Sequence, residues 1–141
     1  MKRNCIKSGF FCMVGLLLPA CSSVPSDEPA PFQPAPAELQ QDLIRQHEPV
    51  ITRMQTDFPK ALKGGPGFTQ ETAWKILIKD RAAVSFEYLV LGRLGLGERQ
   101  LQSIVEDKGC YYDMHIIDVE HDGKHYSVEQ WFDITPYFKS M

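Results

Sequence analysis

Apolar residues recur at Leu39, Leu43, Ile44, Val50, Ile51, Met54 and Phe58, at spacings that fall on one side of a helix. Pro49 interrupts the pattern. A proline inside a helix removes one hydrogen bond and crowds the preceding turn. The expectation is two short helices or one kinked helix, ending before Pro59. Gly64-Gly65-Pro66-Gly67 then breaks the chain. Over 72–78 ("TAWKILI") the period changes to two, with Trp74, Ile76 and Ile78 on one face of a strand. Asp80 is placed to cap a helix over 81–94. Ala82, Ala83, Val84, Phe86, Tyr88, Leu89, Val90, Leu91 and Leu94 lie nearly all round that helix, which predicts a central place in the core. Gly92, Gly95 and Gly97 supply its stop. A weaker strand pattern follows over 101–107.

The last third of the chain reads as a hairpin. Asp122-Gly123 is a strong two-residue turn, because both positions tolerate positive φ. It sets a register with His121 opposite Lys124, Glu120 opposite His125, Val119 opposite Tyr126, Ile117 opposite Val128, Met114 opposite Trp131 and Tyr111 opposite Ile134. Val119, Tyr126, Ile117, Val128, Tyr111 and Ile134 then share the core face. Met114, Ile116 and Trp131 share the other, and a hairpin apolar on both faces points to the middle of a sheet. The element order is N-terminal helices, then strand-helix-strand-strand-strand. That predicts an α+β fold with a mainly antiparallel sheet.

The first residues pattern differently. Lys2, Arg3 and Lys7 form a basic front, residues 10–18 a short apolar core, and Pro19 and Ala20 a small-residue end. The apolar core is shorter than the roughly 20 residues a spanning helix needs. Leu18-Pro19-Ala20-Cys21 resembles the lipobox of bacterial lipoproteins. The resemblance implies cleavage after Ala20 and lipidation of Cys21, so that the partner of the N-terminus is the membrane. Two or three acyl chains, at about 0.8 kcal/mol per buried methylene, give a near-permanent anchor. Ser22 follows the cysteine where an Asp would imply inner-membrane retention. The expected location is therefore the cell envelope, at the outer membrane facing the periplasm. The domain reading is a signal peptide over 1–20, a lipidated cysteine and proline-rich tether over 21–37, and one small domain over 38–141. Pro25, Pro29, Pro31, Pro34 and Pro36 make the tether an extended spacer, about 3.1 Å per residue, too poor in apolar groups to fold.

Without the leader, 12 Lys and Arg remain against 18 Asp and Glu, a formal charge of −6. An acidic surface argues against nucleic acid, whose binding rests on basic groups. Of the four cysteines, Cys5 and Cys12 leave with the leader and Cys21 is acylated. Cys110 alone remains, without an intramolecular disulfide partner, and reads as a small buried thiol.

"GFTQETAWKIL", "FEYLVLGRLGL", "YYDMHII" and "WFDIT" resemble, in that order, an uncharacterised family of small bacterial exported proteins, from about Gly67 to Phe138. The resemblance supports the domain boundary and implies no activity.

Four polar residues are the candidate site. Asp118, Glu120 and His125 fall on one face of the hairpin, where a carboxylate opposite an imidazole can hold a metal or form an acid–base pair. Metal sites need three or four convergent ligands, and no HExxH or Cys–His spacing occurs. A solvated hairpin face is therefore the expectation, with no metal and no cofactor. His115 falls on the apolar side opposite Gln130 and reads as a hydrogen-bonded core histidine, with Asp113 and Asp133 flanking it. No Gly-x-Ser-x-Gly elbow is present. Trp74, Trp131, Phe132, Tyr137 and Phe138 are aromatics able to stack on cell-wall sugars or a peptide, although helices are expected to cover the Trp131 face. The function expected is a non-catalytic envelope lipoprotein with a small binding or accessory domain, contacting protein or cell wall. The alternatives are an inhibitor or immunity lipoprotein, whose acidic surface would steer it to a basic enzyme, and a small hydrolase or metalloenzyme.

Overall fold

A computed structural model describes residues 33–141. The leader, Cys21 and most of the tether lie outside the described residues. The chain runs β1 (Gln33–Pro34), α1 (Ala37–Asp57), β2 (Leu62–Gly64), β3 (Trp74–Ile76), α2 (Ala82–Leu94), β4 (Glu98–Asp107), β5 (Cys110–His121), β6 (Lys124–Asp133) and α3 (Thr135–Phe138). The fold is α+β with a mostly antiparallel sheet in the order β2-β3-β6-β5-β4.

The hairpin anchors this sheet. Asp122 and Gly123 both take positive φ, 51° and 74°, as a turn matched to strand twist requires. The β5–β6 register pairs His121 with Lys124, Val119 with Tyr126, Ile117 with Val128 and Met114 with Trp131. Ile117, Val119, Val128, Phe132 and Ile134 are buried, and Tyr111 packs against the core with them.

Of the two forms expected for the first helix it takes the single one, running through Pro49 and ending before Pro59, while β1, β2, β3 and α3 differ from the sequence expectation. Pro49 lies on its exposed side, where water can solvate the carbonyl that the ring leaves unpaired. Leu39, Leu43, Ile51 and Met54 pin the buried side on both flanks. The end of the stretch read as tether is part of the fold. Gln33 and Pro34 pair in parallel with Tyr126 and Ser127, the Ala35 N–H donates to the Ser127 carbonyl at 3.0 Å, and Ala35 is buried. Strand β2 and the terminal turn α3 were not expected at all. Strand β3 is shorter than 72–78 and pairs in parallel with β6 at Phe132 and Asp133. Between β1 and β3 the Trp131 N–H donates to the Gly67 carbonyl at 2.7 Å. A side chain at Gly67 (φ +82°) would strike the Trp74 ring, so the loop can close against that buried tryptophan only with glycine there.

Helix α2 begins where expected, with Asp80 Oδ1 accepting the Ala82 N–H at 2.8 Å. Gly95 ends it in the left-handed conformation. It is not buried all round. Ala83, Glu87, Val90 and Leu94 face inward, while Val84, Tyr88 and Leu89 are exposed. The buried faces of α1 and α2 pack on the same side of the sheet, against Phe132 and Ile134 in one cluster and against Ile117, Val119 and Val128 in another. The opposite side carries half-exposed Tyr112, Met114, Ile116 and Trp131, and neither α1 nor α2 packs on it. These helices do not cover the Trp131 face as expected.

Candidate functional site

The strand parity of β5 sends Asp113, His115, Ile117 and Val119 inward together. His115 thereby meets α2 at Glu87, the one acidic residue on that helix's buried face. His115 Nε2 lies 3.3 Å from Glu87 Oε2 and 3.7 Å from Asp113 Oδ2. All three are enclosed, with exposures of 0% for His115, 2% for Glu87 and 4% for Asp113. Gln130, opposite His115 in register, is also fully buried and accepts the Trp74 Nε1–H at 3.2 Å.

A second polar layer lies above this cluster. Gln102 donates to Asp113 Oδ2 at 2.5 Å. Its own oxygen accepts from Tyr88 Oη at 3.2 Å and from Arg99 Nη1 at 2.5 Å. The Arg99 guanidinium sits 5.2 Å from the Tyr88 ring centroid, a cation–π contact. A cavity of about 200 Å³ next to this layer is bounded by Tyr88, Gly92, Arg99 and Ile117 among others.

Burial governs the charges. It pushes the Glu87 carboxyl up to about 7, partly opposed by a hydrogen bond with Asp113. Burial also pushes Asp113 up to about 6, reinforced by hydrogen bonding and like charge from Glu87. Two carboxyls this close in a dry environment resist being charged together. Burial pulls His115 below its ordinary value against the attraction of Asp113. Its Nδ1 is buried without a partner. A protonated ring would leave an N–H orphaned there, so the neutral form donating from Nε2 to Glu87 costs least. Chemically the cluster can store and relay a proton. The three groups also place one ligand atom each within 4.8 Å of one another, a spacing able to hold a divalent ion. None of them faces a substrate-accessible surface.

The other candidate residues are arranged differently. His125 Nδ1 lies 3.0 Å from Asp118, on the side of the hairpin away from α1 and α2, and Glu120 pairs with His125 in register. His125 and Glu120 are exposed, so this is a solvated cross-strand contact. Asp133 does not flank His115. It points to the opposite face, where its Oδ1 accepts the Thr135 N–H at 3.0 Å and starts α3. Cys110 is a free, half-buried thiol and not a buried one. Trp74 and Phe132 are sealed in the core, and Phe138 stacks on Tyr111 at 4.0 Å. Trp131 alone of the two tryptophans reaches the open face, edge-on to Tyr112 at 6.1 Å, with its Nε1–H donating to Glu129 at 2.7 Å.

Glu87 was missed in the sequence. Its signal was the spacing Ala83, Glu87, Val90, Leu94, which sets one acid within an apolar stripe. No protein-family model, curated protein or solved structure matches this chain.

Proposed function

We propose that this is a lipid-anchored envelope protein, held by Cys21 at the outer membrane facing the periplasm, whose domain binds another protein and does no chemistry of its own. The observation that carries the reading is the open sheet face. Trp131, Tyr112, Met114 and Ile116 lie there half-exposed, on the side away from α1 and α2. Aromatic and Met side chains on one surface are the composition of protein-binding patches. Met114 and Ile116 favour a protein over a glycan, which would meet aromatic planes and polar groups. The lipobox supports the anchor, and the proline-rich stretch over 22–32 supplies reach.

The convergence of Glu87, Asp113 and His115 favours a second reading, a small hydrolase or metalloenzyme that opens to admit its substrate. Complementation of a deletion strain's envelope phenotype separates the two. Under the binding reading Trp131→Ala fails to complement and Glu87→Gln complements fully, both being present at normal levels. The reverse pattern transfers the function to the buried cluster and ends the binding reading.

A further inference from the structure

The outer edge of β4 pairs with no described strand. Most of its ten residues are exposed, including Leu101 at 54% and Ile104 at 52%. A free edge offers a row of unpaired N–H and C=O groups, and proteins guard such edges with charges, proline, bulges or shortness. The guards on β4 stand only at its ends. Glu98, Arg99 and a register shift between Arg99 and Leu101 occupy one end, and Glu106 and Asp107 the other. The middle, Leu101-Gln102-Ser103-Ile104-Val105, has no charge, no proline and no glycine.

The strand is complementary to itself. Two copies meeting antiparallel about a two-fold axis normal to the sheet keep their faces, so opposed residues must share a face. Within the regular part of the strand, residue numbers of opposed pairs therefore add to an even number. Centring on Ser103 sets Leu101 opposite Val105 twice and Gln102 opposite Ile104 twice. The register shift turns Arg99 to the side of Ile117, which brings it beside Glu106 of the other copy. Centring on Gln102 instead opposes Leu101 to Ser103, and centring on Ile104 opposes Leu101 to Asp107. Only the first register matches apolar to apolar and positive to negative.

We propose that β4 pairs with β4 of a second copy, centred on Ser103, and joins two sheets into one. Leu101, Ser103 and Val105 share the open face with Ile116, Met114 and Tyr112, but the pairing uses the backbone edge of β4 and the binding reading the side chains of β5 and β6, so the cross-link and the complementation test each stand alone.

Site-specific cross-linking of the full chain in its own membrane tests the register. In a Cys110→Ser background, Ser103→Cys puts two thiols directly opposite, with Cβ atoms about 4.5–5.5 Å apart, close to disulfide geometry. Leu101→Cys sets its two thiols four residues out of register, roughly 13 Å apart. Mild oxidation is expected to link Ser103→Cys into a reducible homodimer at least tenfold more than Leu101→Cys, with the Cys110→Ser chain alone as baseline. A Ser103→Cys chain that stays at baseline overturns the proposal. So does equal linking at both positions, which marks random collision, and so does linking of Ser103→Cys to a different protein.

Discussion

Glu87 and Asp113 tie stability to pH through their raised carboxyl values. Their folded values, about 7 and about 6, lie above ordinary carboxyl values. The folded state thus binds protons more tightly than the unfolded chain. That contribution is complete below about pH 4 and is lost as pH rises through 6 and 7. His115 acts in the opposite direction, since its lowered value costs stability as pH falls below about 6.5. Comparing wild type with Glu87→Gln removes the Glu87 titration together with the part of the Asp113 shift that Glu87 causes, because the amide keeps the shape and never ionises. Between pH 5 and pH 8 the variant should gain about 2 kcal/mol over wild type, read from urea unfolding at each pH. A difference that does not move with pH would show that Glu87 titrates as an ordinary carboxyl. At this scale His115 was legible, because strand parity counted back from the Asp122-Gly123 turn places it inward opposite Gln130. Glu87 was not, because an acid on a helix acquires meaning only from what packs against it, and that residue lies 28 positions further along the chain.

The hairpin is the element on which the other strands depend, and its sequence shows why it was readable. A two-residue turn leaves one register, and every side chain follows from it. Gly123→Val should destabilise the domain by roughly 1–3 kcal/mol through positive-φ strain alone, since nothing lies near enough to clash with a Cβ there. Val128→Asp should cost more, because it buries an unpaired charge on the core face. Glu120→Gln should change little, since exposed pairs contribute about 0–1 kcal/mol. Urea midpoints of the three variants check the order, and a harmless Val128→Asp would show the register to be wrong. Helix α2 was less legible. Its apolar residues suggested burial on every side, yet Tyr88 at 42% exposure and its neighbours Val84 and Leu89 face solvent. Apolar content on a short helix does not reveal how many layers cover it. Short strands such as β2 have no period long enough to read, and the parallel join of β3 to β6 is a long-range choice absent from local pattern.

At the scale of the whole molecule, both long helices lie on one side of the sheet, and the chain entering the domain closes one edge of that layer. Proline density marked residues 22–37 as a spacer too poor in apolar groups to fold, and composition alone gives no hint that its last residues do. The reason is geometric. Gln33 and Pro34 use the free flank of β6 at Tyr126 and Ser127, a pairing that asks little of the side chains. Proline is tolerated on such an edge because it owes no ladder bond on its outer side. Ala35 then tucks against Leu39, Phe68, Val119 and Val128 in the second core cluster. A chain beginning at Gln33 should therefore unfold at the same urea concentration as one beginning at Ser22. A chain beginning at Ala37 should lose roughly 1–3 kcal/mol, from about 1 kcal/mol for each backbone hydrogen bond given up and from newly exposed apolar surface at Val119 and Val128. Equal midpoints for all three would show that β1 adds nothing and that the spacer runs uninterrupted to the first helix. A loss already present at Gln33 would show that residues before it contribute to the stability of the domain.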